Sequence, residues 1–218
     1  MFSLKSWWQS LQRTIKIGII IVLICSTAGV ATYYFFSHSN ATPHEGAPGE
    51  IKGSVVTLKT LKEEYFAELH NMFSNACRKG LDFPAVTTFG YTIAYLRELE
   101  RRAKTTKGIH YIIFDNADNK PIGSIEVREY DPEDYGQLGV WVNEKYWGGG
   151  RTVEAIKLIG KAYFELYPET QDFIAFARPW NQRSYKALQK AGLVDEGFKY
   201  VDGTPLWYQL RMHRKTLV

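Results

Sequence analysis

The sequence predicts a mixed α/β domain over residues 54–218, carried behind one N-terminal membrane-spanning helix. Three observations lead there. Short apolar runs bounded by turn residues recur at 110–114, 121–128 and 137–143, the pattern of antiparallel strands. A helical apolar period follows the last of them and leads to another apolar run at 173–177, a strand, helix, strand unit. Residues 17–36 read IGIIIVLICSTAGVATYYFF, without a charge. With 15% aromatic and 23% charged residues, a chain of 218 has apolar material for one sizeable core.

At about 1.5 Å per residue the uncharged run spans roughly 30 Å, the thickness of a bilayer hydrocarbon core. Trp7 and Trp8 precede it and Tyr33, Tyr34, Phe35 and Phe36 close it, aromatics at both interfaces. A cleaved signal peptide is the rival, with Lys5, Arg13 and Lys16 as its basic start, but the apolar run continues past the small residues at 28–31. The chain therefore divides into a basic and aromatic segment (1–16), an anchor (17–36), a polar linker (37–53) and the domain (54–218). A lipid bilayer is an expected partner. All three nearby Lys/Arg precede the span, which by the positive-inside rule places the domain on the non-cytoplasmic side.

The net charge is +4, and residues 53–218 hold only about +2 of it, too diffuse to predict a nucleic-acid partner. RMHRK at 211–215 reads as a solvated basic tail. Cys25 and Cys77 form no CxxC pair and the histidines no HxxxH, so no metal site is expected.

Within the domain, 55–58 reads as a first strand and a helix runs from Lys62 with Tyr65, Phe66, Leu69 and Phe73 inward. Another helix is expected at 91–104. DNADNK at 115–120 is turn chemistry that folds the flanking strands into a hairpin. Val153, Ile156, Ile159, Tyr163 and Leu166 mark one face of a helix that Pro168 ends. A helix over 181–191 closes at Gly192 in a left-handed cap, and 194–200 pairs with 206–212.

The segment EKYWGGGRTVEAIKLIG at 144–160 places three glycines between a strand and a helix. Such a run leaves backbone N–H groups free at the positive end of a helix dipole, a setting for phosphate. It is no P-loop, because Arg151-Thr152 follows where Lys-Ser/Thr is needed, and no dinucleotide fingerprint, because Val153 stands at its last small position.

The segment resembles the GNAT acetyltransferase superfamily, in particular the branch with ribosomal-protein N-terminal acetyltransferases. Tyr146, Trp147, Gly148, Gly150, Glu154 and Ala155 match its Tyr-Trp-Gly-x-Gly and Glu-Ala signature, with Gly149 at a variable place. In PWNQRSYKALQKAGL, Asn181, Ser184, Lys190, Gly192 and Leu193 match a second signature. The resemblance covers roughly 55–212. It implies a GNAT-like fold with a central, mostly antiparallel, splayed sheet flanked by helices, and acetyl-CoA as co-substrate without a metal.

By the same resemblance, Val142, Trp147, Gly148, Gly149, Gly150, Arg151, Thr152, Asn181 and Ser184 are expected to bind coenzyme A. Arg151 and Thr152 depart from the family's apolar and Gly/Ala residues, Arg151 adding a cation beside the pyrophosphate and Thr152 crowding it. Ser184 is the candidate acid for the leaving thiolate and Tyr185 the fallback phenol. Strand alternation puts Ser124, Glu126 and Arg128 on one face, which makes Glu126 the candidate base. The acceptor is expected to be the amine of a protein N-terminus or of a small molecule, with Glu126, Glu129, Asp131, Glu133 and Asp134 as the acidic attraction for a cation. A membrane-bound acyl-CoA sensor without turnover is the alternative.

Overall fold

The computed structural model describes residues 46–81, 88–105, 107–129, 136–201 and 203–218. The expected anchor at 17–36, the segment before it, the linker up to residue 45 and the acidic turn at 130–135 lie outside the described residues. Among the described residues no helix is long and apolar enough to cross a membrane.

Eight strands form one sheet: β1 (Glu50–Lys52), β2 (Val56–Thr60), β3 (Gly108–Asp115), β4 (Lys120–Glu129), β5 (Gly136–Val142), β6 (Asp172–Ala177), β7 (Val194–Val201) and β8 (Thr204–His213). Their spatial order is β1-β2-β3-β4-β5-β6-β8-β7, and every neighbouring pair is antiparallel except β5 with β6. The helices are α1 (Phe66–Met72), α2 (Asn75–Gly80), α3 (Phe89–Thr105), α4 (Arg151–Leu166) and α5 (Gln182–Ala191).

Strand β3 is buried along its whole length because both faces of the sheet are covered. Ile109, Tyr111 and Ile113 point to a core shared with Ile156, Ile159, Tyr163 and Phe164 of α4. Ile112 and Phe114 point the other way, to a second core with Phe66 and Leu69 of α1, Cys77 of α2, Leu96 of α3 and Trp141 of β5. Burying each large apolar side chain contributes about 1.5–3 kcal/mol, so the period-2 pattern fixes which face each helix covers.

Three expectations change. Glu50–Lys52, expected as linker, is an edge strand antiparallel to β2, so the domain begins earlier than residue 54. The helix expected from Lys62 is broken after Met72, where the Ser74 side chain accepts from the Cys77 amide and caps a new helix. RMHRK is not a solvated tail. Met212 is fully buried, Arg211 pairs with Asp172 and Glu196, and the Arg214 guanidinium donates to the carbonyls of Phe164, Tyr167 and Thr170 near the C-terminal end of α4. Gly192 has the expected left-handed conformation, at φ 106°.

The parallel pair positions the site. Only Gly136, Gln137 and Leu138 of β5 face partners in β6, at Phe173, Ile174 and Ala175. Beyond them the two strands part while β5 stays paired to β4 as far as Val142.

Candidate active site

The loop after β5 is held at its root. Trp147 Nε1 donates to the Val142 carbonyl at 2.7 Å, and the Asn143 amide donates to the Met72 carbonyl at 2.6 Å. Gly148, Gly149 and Gly150 then follow at φ 92°, 60° and 80°, all in the left-handed region that side chains resist. A Cβ at Gly148 or Gly150 would meet nothing within 4 Å, so the surface above the loop is open. The amides of Gly148, Gly149, Gly150, Thr152 and Val153 donate to no backbone acceptor among the described residues. These donors sit at the positive end of α4, which runs for 16 residues.

Two side chains at the start of α4 moor it to the sheet. Arg151 Nε donates to Asp115 Oδ1 at 2.6 Å, and the Glu154 carboxylate accepts from the amides of Ser54, Val55 and Val56 at 2.7–2.8 Å. Burial opposes the charge of Glu154, but the Ser54 hydroxyl and these amides outweigh it and hold its pKa below the ordinary value. Arg151 therefore pairs with the nearly buried Asp115 while its guanidinium lies against the loop, where a Cβ at Gly149 would meet its Nη1 at 2.6 Å.

Where β5 and β6 part, a cavity of about 520 Å³ passes between them. Trp147, Thr152, Asn181, Arg183 and Ser184 line one end, beside the loop; Tyr95, Ser124, Glu126 and Arg128 line the other. The Arg183 guanidinium lies 3.3 Å from the centroid of the Trp147 ring. The Asn181 side chain accepts from the Ser184 amide at 3.3 Å as the cap of α5, which fixes the first turn that carries Ser184. Among the described residues the Ser184 hydroxyl makes no hydrogen bond.

At the far end Glu126 is 5% exposed, and its carboxylate accepts from Arg128. Its cross-strand partner is Gly139, the first β5 residue beyond the contact with β6. A Cβ there would meet Glu126 Oε1 at 2.8 Å, so the missing side chain is what lets the carboxylate reach the gap. Burial, and after it the Glu126 charge, push the Tyr95 phenol well above its usual pKa. His110 Nε2 lies 2.6 Å from Ser124 Oγ beneath this cluster, and burial followed by the Arg128 charge pushes its pKa down to about 3.

A glycine loop with unpaired amides, a parted parallel pair and a buried carboxylate across the gap lie together among the described residues. Residues 56–194 match the family described as acetyltransferase (GNAT) domain. The chain belongs to the GNAT acetyltransferase family. No curated protein matches it. Among solved structures, a GNAT-family acetyltransferase from Bacillus anthracis is 22% identical with a TM-score of 0.61, covering 76% of this chain and 99% of that one. An acetyl transferase from Salmonella typhimurium, described as modifying the N-terminal serine of ribosomal protein L7/L12, is 17% identical at a TM-score of 0.63, covering 75% and 98%. A microcin C7 self-immunity acetyltransferase solved with acetyl-CoA and AMP is 17% identical at 0.63, covering 76% and 97%. At these identities the likeness is one of fold.

Within this GNAT domain the sequence-predicted residues separate into three groups. Val142, Trp147, Thr152, Asn181, Ser184 and Glu126 line the cavity, and Gly148 to Gly150 form the loop at its mouth. Gly149, at the variable place of the signature, shares the left-handed backbone of its neighbours. Arg151, expected to bind the cofactor, pairs with the buried carboxylate of Asp115 beside the loop. Tyr185, the fallback phenol, is not among the lining residues: its hydroxyl donates to Asp195 Oδ2 at 2.6 Å and its ring packs on Tyr208. Sequence reasoning missed Tyr95, His110, Arg128 as the partner of Glu126, and Gly139. Arg128 had a signal in the strand alternation; the others depend on contacts across strands and layers.

Proposed function

We propose that the chain is a membrane-anchored N-acetyltransferase that moves the acetyl group of acetyl-CoA to a primary amine of a protein N-terminus or a small molecule. The observation that carries this is the cavity through the sheet, with the glycine loop at one mouth and Glu126 at the other. The loop amides and Arg183 suit the pyrophosphate, and the gap between β5 and β6 suits the extended arm that bears the thioester.

Glu126 takes a proton from the incoming ammonium, and the neutral amine attacks the thioester carbon. A C–N bond forms and the C–S bond breaks, with backbone groups of β5 that face the gap supporting the oxyanion. Ser184 passes a proton to the leaving thiolate and recovers one from the second N–H that the amine loses. The products are an amide, a free thiol and one proton. Arg128 donates to the Glu126 carboxylate and orients it, and Asn181 holds the turn that presents Ser184.

The uncharged run at 17–36 supports a single-pass anchor. Acetyl-CoA is ordinarily cytosolic, which favours a cytoplasmic domain against the charge bias. Protease protection in sealed membranes reads the side directly.

The test of the activity uses the full chain in detergent with acetyl-CoA and a panel of amines. Amine-dependent thiol release with matching acetylated product is the expected result. A rise in melting temperature with acetyl-CoA, without thiol release for any amine, would leave the sensor reading in its place.

A further inference from the structure

The Glu126 end of the cavity holds polar groups that the transfer step does not use. Ser124 and Trp141 are direct partners across the β4–β5 pairing, and both line the cavity. Ser124 is 3% exposed and Trp141 8%. The indole Nε1–H of Trp141 is buried and makes no hydrogen bond among the described residues. A buried donor without an acceptor is costly, and one at a cavity wall is satisfied when an acceptor oxygen enters the cavity beside it.

His110 decides where the Ser124 hydroxyl proton points. Its Nε2 lies 2.6 Å from Ser124 Oγ, while its Nδ1 is buried without a partner among the described residues. Burial and the Arg128 charge keep the ring neutral, so it carries one proton. On Nδ1 that proton would be a second orphaned donor, in a ring already under the positive field of Arg128. On Nε2 it is donated to Ser124 Oγ, which is the less costly tautomer. With that lone pair taken, the serine O–H is free to donate into the cavity.

We propose that Ser124, its hydroxyl directed by His110, and Trp141 form a two-donor subsite that binds an oxygen of the acceptor substrate beside the amine held at Glu126. This rests on the transferase reading above. Ser124 and Glu126 are two residues apart on one face of β4, roughly 6.6 Å by strand rise. An ammonium and a carbonyl oxygen on adjacent carbons fit between a carboxylate and a donor at that spacing. The substrate class is then an α-amino carbonyl compound; a plain alkyl amine satisfies Glu126 and leaves both donors bare.

The test compares alaninamide with isopropylamine, which differ by a carboxamide in place of a methyl, as acceptors for the full chain with acetyl-CoA. The readout is the ratio of their kcat/KM values, which a loss of folded protein leaves alone. Ser124→Ala and Trp141→Phe are each expected to lower the ratio about tenfold, through a higher KM for alaninamide. Ser124→Thr keeps a hydroxyl and keeps the ratio. His110→Gln, whose amide N–H replaces Nε2–H, keeps it too, whereas His110→Leu lowers it. An unchanged ratio in both Ser124→Ala and Trp141→Phe, with both amines acetylated, overturns the subsite and leaves the transferase standing. Acetyl-CoA binding without acetylation of any amine overturns both.

Discussion

Gly139 of β5 and Arg151 of α4 show how differently two residues flanking one loop can be read. Gly139 is needed for what it lacks: an added Cβ would meet the Glu126 carboxylate at 2.8 Å and push it from the gap. Gly139→Ala is expected to lower kcat/KM for the amine by at least about tenfold, while acetyl-CoA affinity, measured by thermal shift, stays close to wild type. Nothing in the sequence announces this, because the requirement sits across the strand pairing. Arg151 drew attention in the sequence as an unusual cation beside a phosphate loop, and the structure pairs it with Asp115 at the end of β3. Arg151→Leu leaves that carboxylate buried and unpaired, at a cost of about 1–3 kcal/mol. The expected outcome is a lower melting temperature with KM for acetyl-CoA within about twofold. A large rise in KM without a stability loss would return Arg151 to the ligand.

At the scale of elements, the start of α4 was the most legible feature of the chain, and it is also where sequence reasoning stopped short. The strand, glycine run and helix follow from local pattern, and so does the left-handed close of α5 at Gly192. Local pattern does not show that Glu154 binds the amides of Ser54, Val55 and Val56, which fixes the helix origin against β2. The last strand was misread at its end for the same reason: Arg211 and Arg214 look like a tail until their partners on β6, β7 and α4 are in view. The loop itself makes a direct prediction. Gly150→Ala forces a side chain to φ 80°, a strain of about 1–2 kcal/mol, in a segment whose amides serve the ligand. KM for acetyl-CoA is expected to rise at least about fivefold, and titration of acetyl-CoA against turnover checks it.

For the molecule as a whole, the apolar YIIF run at 111–114 marked β3 as a strand, while the edge strand β1 was hidden by a Pro/Gly-containing setting that reads as linker. One buried group also sets how stability depends on pH. The unfolded His110 titrates near 6.5 and the folded one near 3, so below pH 6.5 the unfolded chain binds the extra proton. Stability is therefore expected to fall as pH drops from about 6.5 toward 3, by up to about 1.4 kcal/mol per pH unit, and His110→Gln should flatten that slope in denaturant titrations. The central claim is that acyl transfer takes place across the gap between β5 and β6 with Glu126 taking the amine proton. Steady-state thiol release with acetyl-CoA and an amine, compared between wild type and Glu126→Gln, tests it most directly. The account predicts a loss of about a hundredfold or more in kcat/KM for the amine with acetyl-CoA binding retained; an unchanged rate in the variant would contradict it.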